Sequence, residues 1–438
     1  DPRAIAVQGD RLYVLPFESN NQTQLSGCAF ARIDGDTCTF NAVEHVFNNN
    51  NVLSTHYDAD IIINAGLPDR DLFVFDTDTE EQLQVVEGLG TLLYGLAVDS
   101  QHRIFVAQTD ARNDANGRAG TLKHGLAEMG NRAFLNQVTR VNCQESCDTP
   151  VRLDLEPLPP QHPVVGEALA TPYAIEWSVD AQTLFVTAAG SNKLFTLNPE
   201  TGEIFGRVDT GAVPRGIALT NDNEVFVLNA VDNSVTVIDV TETREMQVQR
   251  TINLIDPTDP DVKAGRRLFN DAAMSTSETF SCESCHPDGH TDQLIWVLET
   301  PVCDVDGCTQ IPPRVTMPVR GARDTGPYHW DGIPGDPFGG NNTASINADV
   351  EPNCEENDPE GCIRVLVDGS LATTMCEVGN CDLNSQGQAG AFNEAERKLL
   401  SKFVLSVPYP PAPERQFDNG LSIAARQGFF NFSFVNNA

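Results

Sequence analysis

The chain has 438 residues, 62 of them acidic and 28 basic, for a formal charge of −34. An acidic excess of this size argues against binding to nucleic acid or to an anionic membrane surface, because both repel it. The length allows two or three domains with ample core, and no apolar run is long enough to span a bilayer.

Residues 1–255 carry a β-repeat. A short strand, a polar turn and a second strand recur as Ala4–Val7 with Leu12–Val14, Gly95–Val98 with Ile104–Val106, Ala174–Trp177 with Leu184–Val186, and Gly216–Leu219 with Val225–Val227. The last two copies lie 42 residues apart, from Ile175 to Ile217, which is the length of one four-stranded propeller blade. A second phrase falls between copies: Leu72–Asp76, Leu194–Asn198 and Val235–Asp239 each read as a strand closed by an Asx turn. Alternation along these segments sets the class as all-β. Dividing the region by its period predicts a propeller of six or seven blades, with a pair of β-sandwiches as the competing arrangement. Residues 110–170 interrupt the repeat and read as a long loop or an embellished blade. His45, His56, His102, His124 and His162 share no spacing and read as loop or core residues.

Asp256-Pro257-Thr258-Asp259-Pro260 ends the β pattern, and Val262–Asn270 opens a helical one. Then comes Cys282-Glu283-Ser284-Cys285-His286. Cys-x-x-Cys-His is the attachment sequence of a c-type haem: two thiols bond the porphyrin vinyl groups, and the following histidine ligates the iron. A redox dithiol, or a zinc site completed by His290, is the alternative for these residues. Phe392–Val404 reads as an amphipathic helix with Asn393 as N-cap and Glu396 as its capping-box partner. Pro408–Pro413 is a stiff linker, after which Ala425–Asn431 repeats the Ala264–Asn270 phrase in outline. The predicted organisation is residues 1–255 as β-propeller, 256–410 as a mainly α-helical, class I-like cytochrome c module, and 411–438 as linker and the start of a second module.

The β phrases resemble the YVTN-type and related surface β-propellers, which implies a platform for partners. Ala264–Asp271, Ser281–His286, Arg314–Gly321 and Tyr328–Gly332 together look like the haem module of the bacterial di-haem cytochrome c peroxidase and methylamine-maturase superfamily, in the branch where such a module follows a propeller. The resemblance implies His329 as distal iron ligand, and Met317 is the alternative among the candidate ligands that follow the pentad. It also matches Trp330 to an aromatic residue between two haems, and it implies a second haem module where Ala425–Asn431 stands. None follows before Ala438, so either the sequence is truncated or that module is lost. Arg320 and Arg323 are candidates to pair with haem propionates. Asp331, Asp336 and the carbonyls of residues 332–340 read either as a solvated acidic loop or as a calcium loop.

Outside the Cys-x-x-Cys-His pentad, the ten remaining cysteines fall into close pairs: Cys28 with Cys38, Cys143 with Cys147, Cys303 with Cys308, Cys354 with Cys362, and Cys376 with Cys381. Local disulfides persist outside a reducing cytosol, and bacteria attach c-type haem beyond the inner membrane. The expected location is therefore the periplasm or the cell exterior, and a start at Asp1 suits a mature or trimmed chain. The expected function is single-electron transfer with a redox partner protein. A peroxidase-like or maturase-like di-haem oxidoreductase, and a structural or adhesive surface protein assembling with copies of itself, are the alternatives.

Overall fold

The computed structural model describes residues 2–19, 69–113, 129–220, 223–296, 314–329, 332–339, 351–376, 392–409 and 420–435. Sixteen strands make four four-stranded antiparallel sheets, each a simple meander. The first holds β1 (Pro2–Gln8), β2 (Arg11–Pro16), β3 (Leu72–Asp76) and β4 (Gln82–Val86). The second holds β5 (Leu92–Val98), β6 (Arg103–Ala111), β7 (Phe134–Asn142) and β8 (Val151–Asp154). The third holds β9 (Pro172–Ser178), β10 (Thr183–Ala188), β11 (Lys193–Leu197) and β12 (Ile204–Asp209). The fourth holds β13 (Pro214–Leu219), β14 (Glu224–Asn229), β15 (Ser234–Asp239) and β16 (Gln247–Asn253).

The recurring phrases are thus the first two strands and the third strand of successive sheets. The Asx turns form as read: the carboxylate of Asp76 accepts from the Asp78 and Thr79 amides, and Asn198 and Asp239 repeat the arrangement. Residues 110–170 are less of an interruption than the sequence suggests, since β7 and β8 complete the second sheet there. Six or seven blades are not seen among the described residues. In the first sheet β2, which ends at Pro16, pairs with β3, which begins at Leu72.

First strands lie side by side, β1 by β5, β5 by β9 and β9 by β13. Gly95 permits one of these approaches, since a Cβ there would stand 2.2 Å from the Tyr173 carbonyl oxygen. Facing sheets bury alternate side chains between them. Tyr13, Leu15 and Val74 meet Ile104 and Val106, Phe105 and Val138 meet Leu184 and Val186, and Phe185 and Leu194 meet Val225 and Val227. With sheets packed on both of its faces, β10 is buried along its whole length. Each inner strand also breaks register with its neighbour near its start, at Arg3, at Tyr94, at Tyr173 and Ala174, and at Arg215. Such bulges turn a side chain out of the pleat.

Helices follow. α1 (Pro260–Asn270) starts at the N-cap Asp259, whose carboxylate accepts from the Asp261 and Val262 amides. α2 (Cys282–Cys285) is one turn, α3 spans Pro359–Thr373, α4 Glu394–Ser406 and α5 Ile423–Phe430. α1 packs on α4 through Gly265, where a Cβ would lie 2.1 Å from the Leu399 carbonyl oxygen. The Asn393–Glu396 capping box forms at the start of α4 as the sequence predicts. Cys143–Cys147 and Cys354–Cys362 are disulfides, and Cys376 is disulfide-bonded too. The remaining expected partners, Cys28, Cys38, Cys303, Cys308 and Cys381, lie outside the described residues. No helix among the described residues is long and apolar enough to cross a membrane.

The helices and sheets share one core. Phe17, Tyr94 and Phe134 from the sheets join Phe269, Phe280, Trp296 and Leu400 in a single buried cluster. Backbone carbonyls of the helical region are bound by sheet-region amides: Asn131 Nδ2 donates to Met375 O at 2.9 Å and Asn136 Nδ2 to Thr279 O at 3.0 Å.

Candidate haem site

α2 presents its two cysteines three positions apart, which places both on one side of a single turn. The turn is pinned at its start by the Ser281 amide donating to Ser284 Oγ at 3.0 Å, and at its end by the His286 amide donating to the Cys282 carbonyl at 2.9 Å. Pro287 prevents the helix from continuing. Among the described residues Cys282 and Cys285 are the cysteines left as free thiols. Burial pushes the Cys282 thiol up to about 12 and that of Cys285 well above the usual value, so both stay protonated. Burial likewise holds the His286 imidazole down at about 4, so it is neutral at pH 7 and keeps a lone pair. Its Nδ1 is buried without a hydrogen-bonding partner.

These three side chains open on a cavity of about 230 Å³. Its wall is apolar: Phe269 comes from α1, Leu366 and Leu371 from α3, Leu400 and Val404 from α4. Trp296 closes one side, held by Nε1 donating to Asp292 Oδ2 at 3.0 Å and packed against Phe134 of β7 with ring centroids 5.4 Å apart. Burial pushes the Asp292 carboxyl up to about 7. Segment 315–329 adds Met317, Tyr328 and His329. Two free thiols one turn apart, a neutral imidazole with an unused nitrogen and an apolar slot fit a covalently held haem. Among the described residues no group of three His, Cys, Asp or Glu side chains is placed to hold a metal ion by itself, and His290 is exposed.

Residues 259–333 match the family of di-haem cytochrome c peroxidase. The match takes in all four phrases that carried the sequence resemblance. No protein of curated function matches the chain. Among solved structures, the chain is similar to Kuenenia stuttgartiensis hydrazine synthase, at 16% identity over 55% of this chain and 72% of that one, with a TM-score of 0.34. It is also similar to a chain of a nidogen/laminin complex, at 14% identity over 42% of this chain and 56% of that one, with a TM-score of 0.29. A third is virginiamycin B lyase from Staphylococcus aureus, at 16% identity over 37% and 42% of the two chains, with a TM-score of 0.24. At TM-scores this low the likenesses assign no function.

Of the residues predicted for the peroxidase-like module, His329 and Met317 both reach the cavity that His286 lines. His329 is near enough for its charge to disfavour protonation of His286, and it sits at φ 64, in the left-handed region. Arg320 and Arg323 do not line the cavity. Arg320 instead donates through Nε and Nη2 to the Asp288 carbonyl at 3.1 and 2.8 Å, and Arg323 is exposed. Asp336 accepts from the Phe338 and Gly339 amides at 2.9 and 3.1 Å, which closes a local turn. Trp330 and Asp331 lie outside the described residues.

Met375, which precedes the disulfide-bonded Cys376, is buried and lines the cavity, and α3 as a whole escapes the sequence reading. The signal was present. Asp358-Pro359 supplies an N-cap and a proline at the first helical position, and Ile363, Val367 and Leu371 recur every four residues.

Proposed function

We propose that the chain is an exported c-type cytochrome, in which the four sheets act as blades of a β-propeller platform and the helical region carries one haem for single-electron transfer. The observation that carries this reading is the pair of free thiols and the neutral imidazole facing one apolar cavity. Bound there, the haem supplies a one-electron iron couple. Cys282 and Cys285 would tether it, His286 would supply one iron ligand, and His329 is the first choice for a second, with Met317 the alternative. The aromatic and aliphatic wall excludes water. Disulfides outside the Cys-x-x-Cys-His pentad support an oxidising compartment, the periplasm or beyond, where a redox partner protein exchanges the electron.

Pyridine haemochrome analysis with an intact mass tests the proposal: one haem c per chain is expected, and a colourless protein of bare polypeptide mass refutes it. The visible spectrum then separates the two chemical readings. A low-spin haem in both redox states without peroxide turnover supports electron transfer. The match at residues 259–333 favours a second reading, a peroxidase-like oxidoreductase with another haem on chain beyond these residues. High-spin ferric haem that consumes peroxide supports that one.

A further inference from the structure

The register breaks of the four inner strands all aim at one place. Arg3 of β1, Tyr94 of β5, Tyr173 of β9 and Arg215 of β13 stand at the bulges, and they gather beside the turn that carries the haem-attachment residues. Arg215 Nη1 donates to Asp288 Oδ1 at 2.6 Å, while its Nη2 binds the Glu283 carboxylate. Arg3 Nη1 reaches the other oxygen of Asp288 at 3.3 Å, and its Nη2 donates to the Tyr173 hydroxyl at 2.6 Å. Tyr173 packs against Tyr94 with ring centroids 5.0 Å apart and the planes tilted by 34°, and the Arg215 guanidinium lies 4.8 Å from the Tyr173 ring centroid. The Asp288 amide closes the circuit on Glu283 at 2.9 Å. Glu283 lies between the two thiol residues, and Asp288 two positions beyond His286.

We infer that Arg3 and Arg215, the bulge residues of the two end sheets, are positioning residues that clamp the attachment turn and set the reduction potential of the haem by their charge. This rests on the haem reading above. Two cations and two carboxylates meet in a partly buried cluster, where charge is poorly screened by solvent. Loss of a cation leaves net negative charge beside the iron and favours the ferric state, and loss of a carboxylate does the reverse. The sheets are in this way an electrostatic part of the redox centre.

The test is spectroelectrochemistry on the holoprotein, with the haem content of the unsubstituted protein measured first, since its absence sinks the haem reading itself. With haem present, Arg3→Gln is expected to shift the midpoint potential negative and Asp288→Asn to shift it positive. Each change amounts to about tenfold or less in the reduction equilibrium, ~59 mV for one electron at the tenfold limit. Arg215→Lys keeps the charge and is expected to stay near the unsubstituted value. Arg207→Gln, which breaks an ion pair with Glu167 on the third sheet, changes total charge by the same amount and is expected to leave the potential in place. Shifts of the same sign in Arg3→Gln and Asp288→Asn, or none in either while haem stays attached, overturn the inference. A structural lesion moves both variants one way, whereas a charge effect moves them apart.

Discussion

Asp71 is the residue whose titration the fold changes most clearly outside the haem cavity. Its side chain is fully buried, Oδ2 accepts from the Leu89 amide at 2.6 Å, and Oδ1 has no partner. Burial, with the neighbouring Asp69 charge second, pushes its carboxyl up to about 8. In the unfolded chain it ionises near ~4, so between those values the native state holds the proton and the unfolded state does not. Stability contributed by this group is therefore present at low pH and lost as pH rises from about 4 to 8. Asp71→Asn is expected to raise the urea midpoint at pH 9 more than at pH 5; an equal change at both, or a larger one at pH 5, contradicts the assignment. At the haem, replacing Cys282 and Cys285 together by alanine removes both tethers. The prediction is loss of all covalent pigment, read as haem that acidified acetone extracts or that is absent. The proposed tethers and His286 are legible in sequence because thioether attachment would require their spacing. The proposed opposite ligand is not, because His329 and Met317 reach the cavity only through the path of segment 315–329.

Packing between elements depends on shape as well as pattern. Gly265 lets α1 lie against the backbone of α4, and an added methyl meets the Leu399 carbonyl oxygen at 2.1 Å. Neither backbone can yield cheaply, so Gly265→Ala is expected to cost about 1–3 kcal/mol or more, measured as a drop in denaturant midpoint. Asn393→Ala removes the acceptor for the Glu396 amide and is expected to cost ~1 kcal/mol by the same measurement, with the haem spectrum unchanged. Both helices are readable from caps and apolar spacing. α3 is hidden in the sequence because Gly361 and Cys362 fall in its first turn and Cys362 also suits a disulfide loop with Cys354, which does form. The strands are the most legible elements, since period-2 apolar runs closed by Asx turns have few other uses.

The molecule as a whole joins sheets and helices through buried rings. Phe134 of β7 packs on Trp296, and Trp296 lines the haem cavity. Phe134→Ala is expected to cost about 3–5 kcal/mol and to lower the haem-band and far-ultraviolet melting transitions together. If the two transitions separate in the unsubstituted protein, the sheets and helices are independent units and the shared core does not couple them. The sheets at the two ends of the row also leave apolar side chains exposed, Ile5 at 68% and Val7 at 60% on the first, Leu228 at 43% and Ile252 at 41% on the fourth. Motif spacing and strand periodicity are local properties, so the Cys-x-x-Cys-His pentad, the repeating strands and the capped helices were determined by the sequence alone. Sheet number, the wall contributed by α3 and the meeting of Arg3 with Arg215 at Asp288 were decided by tertiary structure. Each depends on residues tens to hundreds of positions apart being brought together, and a periodic pattern does not record how far a connection runs before its strand finds a partner.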